Sequence, residues 1–359
     1  MINSDFWSGK RVLVTGHTGF KGAWLCIWLR KLGAAVSGFS LEPATSPALY
    51  DLAEVANGID SHLGDIRSQS AIRDVIHAAE PEVVIHMAAQ PLVQQSFIDP
   101  VTTYSTNVMG TVHVLEAVRG AESVKAVINV TSDKCYENRE WVWAYRENDA
   151  MGGYDPYSSS KGCSELVTSA YRRSFMNDVG IALASARSGN VIGGGDWSSS
   201  RIVPDVFRAL EVGAKVDIRN PEAVRPWQHV LEPLAGYLIL AQKLVEHGDR
   251  YADAWNFGPS EDSGIPVGDL VRRLLSKLDF KPGWNCPSRA WPHESQSLRI
   301  EISKAVQHLG WRPLWSIDDT LEKVVDWHRL WQSGANIESL CIAQIDAYQK
   351  QMAKTVQTQ

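Results

Sequence analysis

Arg11-Val12-Leu13-Val14-Thr15-Gly16-His17-Thr18-Gly19-Phe20-Lys21-Gly22-Ala23-Trp24-Leu25 decides the fold. A short apolar run, Arg11–Thr15, predicts a buried strand. A glycine-punctuated turn follows, and then a helical pattern over Phe20–Leu32. The glycines fall as GxxGxxG, and each has a separate task. Gly16 permits the tight turn, Gly19 lets backbone approach a pyrophosphate, and Gly22 allows close packing of helix on strand. The helix start offers free N–H groups and the positive end of its dipole to phosphates. A glycine triplet alone is weak, but at a strand–turn–helix junction near the N-terminus it points to a dinucleotide site.

Strand and helix patterns alternate outward from this stretch. Further strands are predicted at Ala35–Ser40, Ser61–Gly64, Glu82–Met87, Ala126–Thr131 and Ile181–Ala186. Helices are predicted at Gln69–Ala79, Val101–Arg119 and Tyr157–Asn177. Apolar rather than alternating strands are those covered by helices on both faces. The fold class is therefore α/β, a Rossmann-type doubly wound parallel sheet. With 359 residues, 44% of them hydrophobic, the chain exceeds one comfortable core. Two lobes are expected. Residues 1–189 form the dinucleotide-binding lobe, with a return segment around 225–260. Residues 190–359 form mainly a smaller mixed α/β lobe for substrate. Its predicted helices are Ile202–Val212, Leu231–His247, Val267–Leu278 and Ser303–Leu309. Lys281–Ser297 reads as loop, and the tail from Asn336 as an amphipathic helix.

A net charge of -6 with no strongly basic stretch argues against a nucleic-acid partner. The five cysteines, Cys26, Cys135, Cys163, Cys286 and Cys341, contain no CxxC pair, so neither a disulfide framework nor a metal site is expected. A cytoplasmic protein without membrane attachment is expected.

Ser40 stands where a carboxylate commonly holds the adenosine ribose, and the nearest acid is Glu42. No arginine follows Ser40 to hold a 2′-phosphate, so NAD is favoured over NADP, with looser binding than usual. Asp65, before Ile66, has two readings: acceptor for the adenine amino group, or helix N-cap. The small residues of His86-Met87-Ala88-Ala89-Gln90 let backbone pass close to a cofactor, with His86 as a packed structural side chain.

Tyr157 and Lys161 lie at i and i+4, on one helix face. A neighbouring ammonium favours the phenolate, so a tyrosine here is expected to titrate below its usual value and serve as a base for a hydroxyl. Together with Gly16, Gly19, Gly22, Asp65, His86-Met87-Ala88-Ala89, Asn107 before Gly110-Thr111, and Ser132, this pair resembles the extended short-chain dehydrogenase/reductase family. That family includes nucleotide-sugar epimerases and dehydratases. The resemblance continues through Arg187-Ser188-Gly189-Asn190-Val191, Arg225-Pro226-Trp227-Gln228-His229-Val230 and Leu309-Gly310-Trp311-Arg312-Pro313. It implies NAD, bound through Gly16, Thr18, Gly19, Phe20, Gly22, Ser40, Asp65, Ile66, Ala88, Ala89, Gln90, Asn107, Tyr157 and Lys161.

Ser132-Asp133-Lys134 is similar to the segment where sugar 4,6-dehydratases of this family carry an acid and a base, most often Thr-Asp-Glu. The Asp-Lys variant, with the downstream Arg-Pro-Trp-Gln-His-Val, implies 4,6-dehydration of a CDP-linked glucose. Tyr157 is then the base at the C4 hydroxyl, Asp133 the acid at C6, and Lys134 the base at C5 or a group that orients the sugar. Asn190, Arg201, Arg225 and Arg289 are candidates for the sugar diphosphate, since guanidinium forks match phosphate oxygens. Trp227 or Trp291 either stacks on the base or packs, and Trp141 and Trp143 are placed at the edge of the sugar pocket. The alternatives are a nucleotide-sugar 4-epimerase, which needs no acid and base after Ser132, and a dinucleotide-sensing regulator, which needs no Tyr–Lys pair. The family also implies a homodimer or a dimer of dimers, formed by a four-helix bundle from Val101–Arg119 and Tyr157–Asn177.

Overall fold

The computed structural model describes residues 1–260, 264–287 and 295–357. Seven parallel strands form its main sheet. Six are β1 (Arg11–Thr15), β2 (Ala35–Ser40), β3 (Asp60–Leu63), β4 (Val83–His86), β5 (Ala126–Val130) and β6 (Ala182–Ser188). The seventh, Ala254–Phe257, comes from the predicted return segment and pairs with β6, Ala254 opposite Ser185. The spatial order is seventh strand, β6, β5, β4, β1, β2, β3. The chain reverses direction across the sheet between β1 and β4, which opens a crevice at the carboxyl ends of those strands.

Helices cover both faces, and every residue of β4, β5 and β6 is buried. The helix Phe20–Lys31 buries a continuous run from Gly22 to Leu29, including Trp24 and Trp28. One side packs on the sheet, and the other receives the last helix, Ile337–Gln357. Arg30 pairs with Glu338 at 3.0 Å and Lys31 with Asp346 at 2.7 Å across that contact. The tail predicted to lie with the substrate lobe thus completes the first lobe's core: Ile337, Cys341, Ile345 and Tyr348 join the cluster of Trp24 and Trp28. A second cluster, including Ile192, Val206, Trp227, Leu270, Leu274, Leu321 and Val324, is the core of the smaller lobe.

Three further departures are local. The helix predicted over Val101–Arg119 runs from Pro100 to Arg119 but widens into a π-helical turn at Ser105–Met109. Asn107 sits in that turn and is bonded on three sides (below), which offsets the poorer backbone geometry. The helix Ile317–Gln332 was not predicted. It starts with a capping box in which the Ser316 hydroxyl accepts from Asp319 N–H and the Asp319 carboxylate accepts from Ser316 N–H. Its apolar face, Leu321, Val324, Val325 and Trp327, is shared between the two clusters. Part of the predicted loop Lys281–Ser297 is also ordered as strand, Trp284 pairing with Val216.

One buried carboxylate, in the helix Leu231–His247, holds the C-terminal segment in place. Glu232 accepts from Leu314 N–H at 3.0 Å, Trp315 N–H at 2.8 Å and the Tyr348 hydroxyl at 2.5 Å. Burial pushes its carboxyl up to about 7 from an ordinary value of 4.5. The folded state therefore holds this proton more tightly than the unfolded chain, and stability drains as pH rises between those values. Wild type is expected to lose thermal stability relative to Glu232→Gln between pH 4.5 and about 7, with a constant gap above. Melting curves of both proteins across that range check it, and parallel pH profiles would contradict it.

Candidate active site

The crevice is a cleft of about 1140 Å³ lined by the Gly16–Gly22 turn, the ends of β2, β4 and β5, the start of the helix Pro156–Tyr171, and smaller-lobe residues around Arg201 and Ile218. That exceeds the room one drug-sized ligand needs and suits two ligands end to end.

Close packing shapes the glycine turn. Gly16 has φ +78°, and a Cβ there would lie 2.8 Å from Ala88 N. A Cβ on Gly22 would lie 2.1 Å from Gly16 O, whereas one on Gly19 would meet that oxygen at 3.3 Å. Gly19 precedes the helix without a capping side chain, so the helix start is left to whatever enters the cleft. Thr18 and Ser40 bond each other at 2.9 Å, and Thr18 also donates to Leu41 O at 2.8 Å. Asp65 is not a helix N-cap, since Ser68 fills that role. Its carboxylate is instead clamped by Arg67, with Nε at 2.9–3.0 Å and Nη2 at 2.5 Å. These hydrogen bonds hold Asp65 below the usual carboxylate range. Arg67, which also lines the cleft, was not anticipated.

Ala88, Ala89 and Gln90 line the cleft, but Asn107 does not. Asn107 is buried behind the wall. Its Oδ1 accepts from Gln90 N–H at 2.8 Å, and its Nδ2 donates to Gln90 O at 3.1 Å and Ser160 Oγ at 2.8 Å. The cofactor contact expected of Asn107 is thus replaced by a structural one: it joins the loop after β4 to the helix Pro156–Tyr171. His86 is a packed residue, bonded to Thr15 Oγ1 at 2.7 Å, and burial pushes it down to about 3.

The helix Pro156–Tyr171 carries Tyr157 and Lys161. Pro156 occupies its first turn, and the Asp155 carboxylate caps Ser158 N–H at 2.8 Å. Lys161 Nζ donates to Val130 O at 3.4 Å, and burial, then Lys21, push it down to about 8. Tyr157 departs from expectation. Burial pushes its phenol up to about 12, and the Ser132 hydroxyl and Arg201 only partly offset this. Desolvation of a phenolate outweighs the nearby cations, while the Asp133 carboxylate opposes ionisation further.

Ser132 starts a single helical turn, Asp133–Cys135, after β5. Its hydroxyl donates to Asp133 Oδ1 at 3.0 Å and accepts from Lys134 N–H at 3.2 Å. Asp133 is 3% exposed, and its Oδ2 accepts no hydrogen bond among the described residues. Burial pushes its carboxyl upward, opposed by Lys134, Ser132 and Arg225. A protonated carboxyl with one free oxygen is suited to donate a proton. Lys134 also lines the cleft, and its side chain makes no hydrogen bond with a described residue. Behind this turn, Glu165 of the catalytic helix pairs with Arg187 of β6 at 2.8 Å, both buried. Glu165 also accepts from Thr131 and, at 2.7 Å, from Ser185.

Asn190, Arg201 and Arg225 line the cleft, with Arg201 near enough to act on Tyr157 and Arg225 on Asp133. Arg201 pairs with Asp196 at 3.0 Å, and Arg225 donates to Val224 O at 3.0 Å. Trp227 lines the cleft while donating to Ile265 O at 3.2 Å, so it both packs and forms wall. Trp141 and Trp143 do not line it. Trp141 stacks on Tyr145 with ring centres 5.3 Å apart and meets Trp143 edge-on, leaving Asn138, Arg139 and Glu140 at the rim. Arg289 and Trp291 lie outside the described residues. Lys21, half-buried within the glycine motif and bonded to Ser188 and Tyr237, was missed. A charge at a position flanked by Phe20 and Gly22 was its signal.

Sheet order, glycine turn and Tyr–Lys helix together define an extended short-chain dehydrogenase-type enzyme. Residues 13–254 match the GDP-mannose 4,6-dehydratase family, and the chain belongs to it. Over 342 residues it is 50% identical to the CDP-glucose 4,6-dehydratase of Salmonella typhimurium, spanning 94% of this chain and 95% of that protein. The fold is similar to that of a dTDP-glucose 4,6-dehydratase from Streptomyces venezuelae solved with NAD (TM-score 0.78, 22% identity, 91% of this chain and 99% of that one). It is also similar to that of a UDP-glucose 4-epimerase from Thermotoga maritima (TM-score 0.76, 23% identity, 89% and 98%). Dehydratase and epimerase share this fold, so the fold does not separate them.

The glycine contacts predict unequal tolerance of substitution. Gly22→Ala forces the helix away from Gly16 and should cost about 1–3 kcal/mol with weakened dinucleotide binding. Gly19→Ala should cost less stability. Denaturant unfolding with dinucleotide titration checks the order, and equal losses would contradict it.

Proposed function

We propose that this protein eliminates water from CDP-glucose to give CDP-4-keto-6-deoxyglucose, a precursor for deoxysugars of polysaccharides. The carrying observation is Asp133, a buried carboxyl with an unbonded oxygen in the cleft beside Lys134. An epimerase inverts C4 and needs no acid at C6. The 50% identity to a CDP-glucose 4,6-dehydratase supports the same reading.

NAD fits the residues present. The glycine turn leaves no room for side chains at Gly16 and Gly22, the helix start is uncapped, and Ser40, Asp65, Ile66, Ala88, Ala89 and Gln90 continue the wall toward an adenosine end. Arg67, the cation at that end, is already bonded to Asp65, which supports NAD over NADP. Bound NAD supplies a reversible two-electron acceptor, so that oxidation at C4 and reduction at C6 cancel overall. Tyr157 accepts the proton of the C4 hydroxyl, and Ser132 and Lys161 position that oxygen. The C4 carbonyl acidifies the C5 proton, which Lys134 removes and, once C6 is reduced, returns to C5. Asp133 protonates the departing C6 hydroxyl, which leaves as water. Arg201, Arg225 and Asn190 hold the diphosphate end.

Apolar side chains exposed on the two long helices and the segments beside them, Ile98, Val101, Met109 and Leu166 among them, support pairing of two copies in a homodimer. No helix of the described residues is long and apolar enough to cross a membrane, and a cytoplasmic location suits a sugar-nucleotide substrate.

Tyr157→Phe is expected to keep the fold and lower turnover by about 10²–10⁴-fold. Product formation followed by mass spectrometry checks this, and near-normal turnover would remove Tyr157 from the base role. Asp133→Asn keeps the shape but delivers no proton, so 4-keto-glucose still carrying its C6 hydroxyl should accumulate. In deuterated water the parent enzyme should place deuterium at C5 of its product, and Lys134→Met should slow that exchange. A product with an inverted C4 and an intact C6 hydroxyl would establish the epimerase instead.

A further inference from the structure

The chain leaving β6 brings a glycine against the proposed acid. Gly189 follows Ser188, lines the cleft and leads into the short strand Val191–Ile192. Its φ lies outside the left-handed region, so the backbone there would accept any residue. Space is what requires a glycine. A Cβ at 189 would lie 2.6 Å from Pro226 Cγ, 3.0 Å from Asp133 Oδ2 and 3.2 Å from Pro226 O. Carbon atoms pack at about 3.5–4.0 Å, so the first of these is a clash. Gly189 is thus wedged between the strand Val224–Pro226 and the Asp133 carboxyl. The proline is the better held of the two. Its strand pairs with Gly264–Pro266, and Gln228 N–H donates to Asn190 O at 3.0 Å, which ties the chain after Pro226 to the chain after Gly189. Asp133 is held at one oxygen only. Its Oδ1 accepts from the Ser132 hydroxyl at 3.0 Å, while Oδ2 has no hydrogen-bond partner among the described residues. The carboxyl is bracketed by Ser132 on one side and by the bare face of Gly189 on the other.

We propose that Gly189 is a positioning residue for the elimination step: by carrying no side chain, it lets the Asp133 carboxyl take the orientation that protonates the departing C6 hydroxyl. The proposal rests on the reading of Asp133 as that acid. A methyl group at 189 displaces the carboxyl, because that neighbour has no hydrogen bond to lose at the crowded oxygen. Oxidation at C4 is spared, since Tyr157 and Lys161 stand on the helix Pro156–Tyr171 and neither is among the nearest neighbours of a Cβ at 189. The residue therefore acts on one half of the reaction. A shift of the Arg225-Pro226 strand is the competing consequence, and it has a separate signature. Arg225 is assigned to the diphosphate, so such a shift weakens nucleotide binding and leaves the acid in place.

The test uses the full chain loaded with NAD, and the probe is CDP-glucose. Wild type, Gly189→Ala, Asp133→Asn and the two substitutions combined are mixed rapidly with it. Absorbance of the reduced dinucleotide follows oxidation at C4, and mass spectrometry follows loss of water. Calorimetric titration with CDP reads the diphosphate end without turnover. Gly189→Ala should form reduced dinucleotide at the wild-type rate, retain it, and lose water about 10- to 100-fold more slowly, the cost of misplacing a reacting group by up to about 1 Å. Its affinity for CDP should match wild type. In the Asp133→Asn background, Gly189→Ala should slow the loss of water no further, because the two act as one unit. Gly189→Ala with Pro226→Ala removes the ring carbon and keeps the contact with Asp133. It should eliminate more slowly than Pro226→Ala alone, and it keeps the test open if the single variant does not fold. Equal slowing of oxidation and water loss, CDP binding that weakens in step with the rate, or a further loss in the Asp133→Asn background would overturn the proposal alone. Loss of water from Asp133→Asn at the wild-type rate would overturn the reading of Asp133 as the acid, and this proposal with it.

Discussion

The buried Glu165–Arg187 pair is the interaction on which the site depends. Glu165 stands two turns beyond Tyr157 on the catalytic helix, and Arg187 sits near the end of β6. Around them gather the Thr131 and Ser185 hydroxyls, the Tyr136 hydroxyl at 2.8 Å and the Glu147 carbonyl at 2.9 Å. An isolated buried ion would be costly, and this pair is tolerable because further hydrogen bonds engage both members, leaving Arg187 Nε unpartnered among the described residues. Arg187 holds Glu165 below the ordinary carboxylate range despite its burial. The network fixes the catalytic helix against the strand end that carries Ser132, Asp133 and Lys134. Tyr157 and Asp133, the base and acid proposed above, therefore share a rigid frame instead of facing each other across a mobile loop.

Within that frame, burial separates the tasks of similar groups. It raises Asp133, which favours the protonated form an acid needs. It lowers Lys161 and Lys21, which eases the crowding of cations beside Arg201. The same desolvation lifts Tyr157, so the tyrosine depends on neighbouring positive charge before it accepts a proton. One dry pocket thus sets the groups in different directions according to their charge type.

The fold was legible because glycine spacing and apolar strands are local signals. β1 and β2 fall where the sequence places them, and Gln69–Ala79 and Leu231–His247 match to the residue. The helix Ile317–Gln332 went unread although Ser316 and Asp319 form a capping box, because its buried face divides between two cores. The lobe assigned to Ile337–Gln357 was mistaken because amphipathicity shows that a face is buried and not against what. At the site, motif residues such as Tyr157, Lys161 and Asp133 were legible. Asn107, Arg67 and Lys21 were not, since their roles depend on partners distant in sequence, such as Ser160 or Tyr237, or on which wall a side chain faces.

The place of the seventh strand has a consequence for synthesis of the chain. Ala254–Phe257 covers β6, yet residues 189–253, much of the smaller lobe among them, lie between the two. Until it emerges from the ribosome, β6 presents an open edge to other nascent chains. The Trp24 and Trp28 surface waits longer still, for Cys341, Ile345 and Tyr348. The first lobe therefore cannot complete its core until these later residues are made, and its apolar surface is open to misassociation until then.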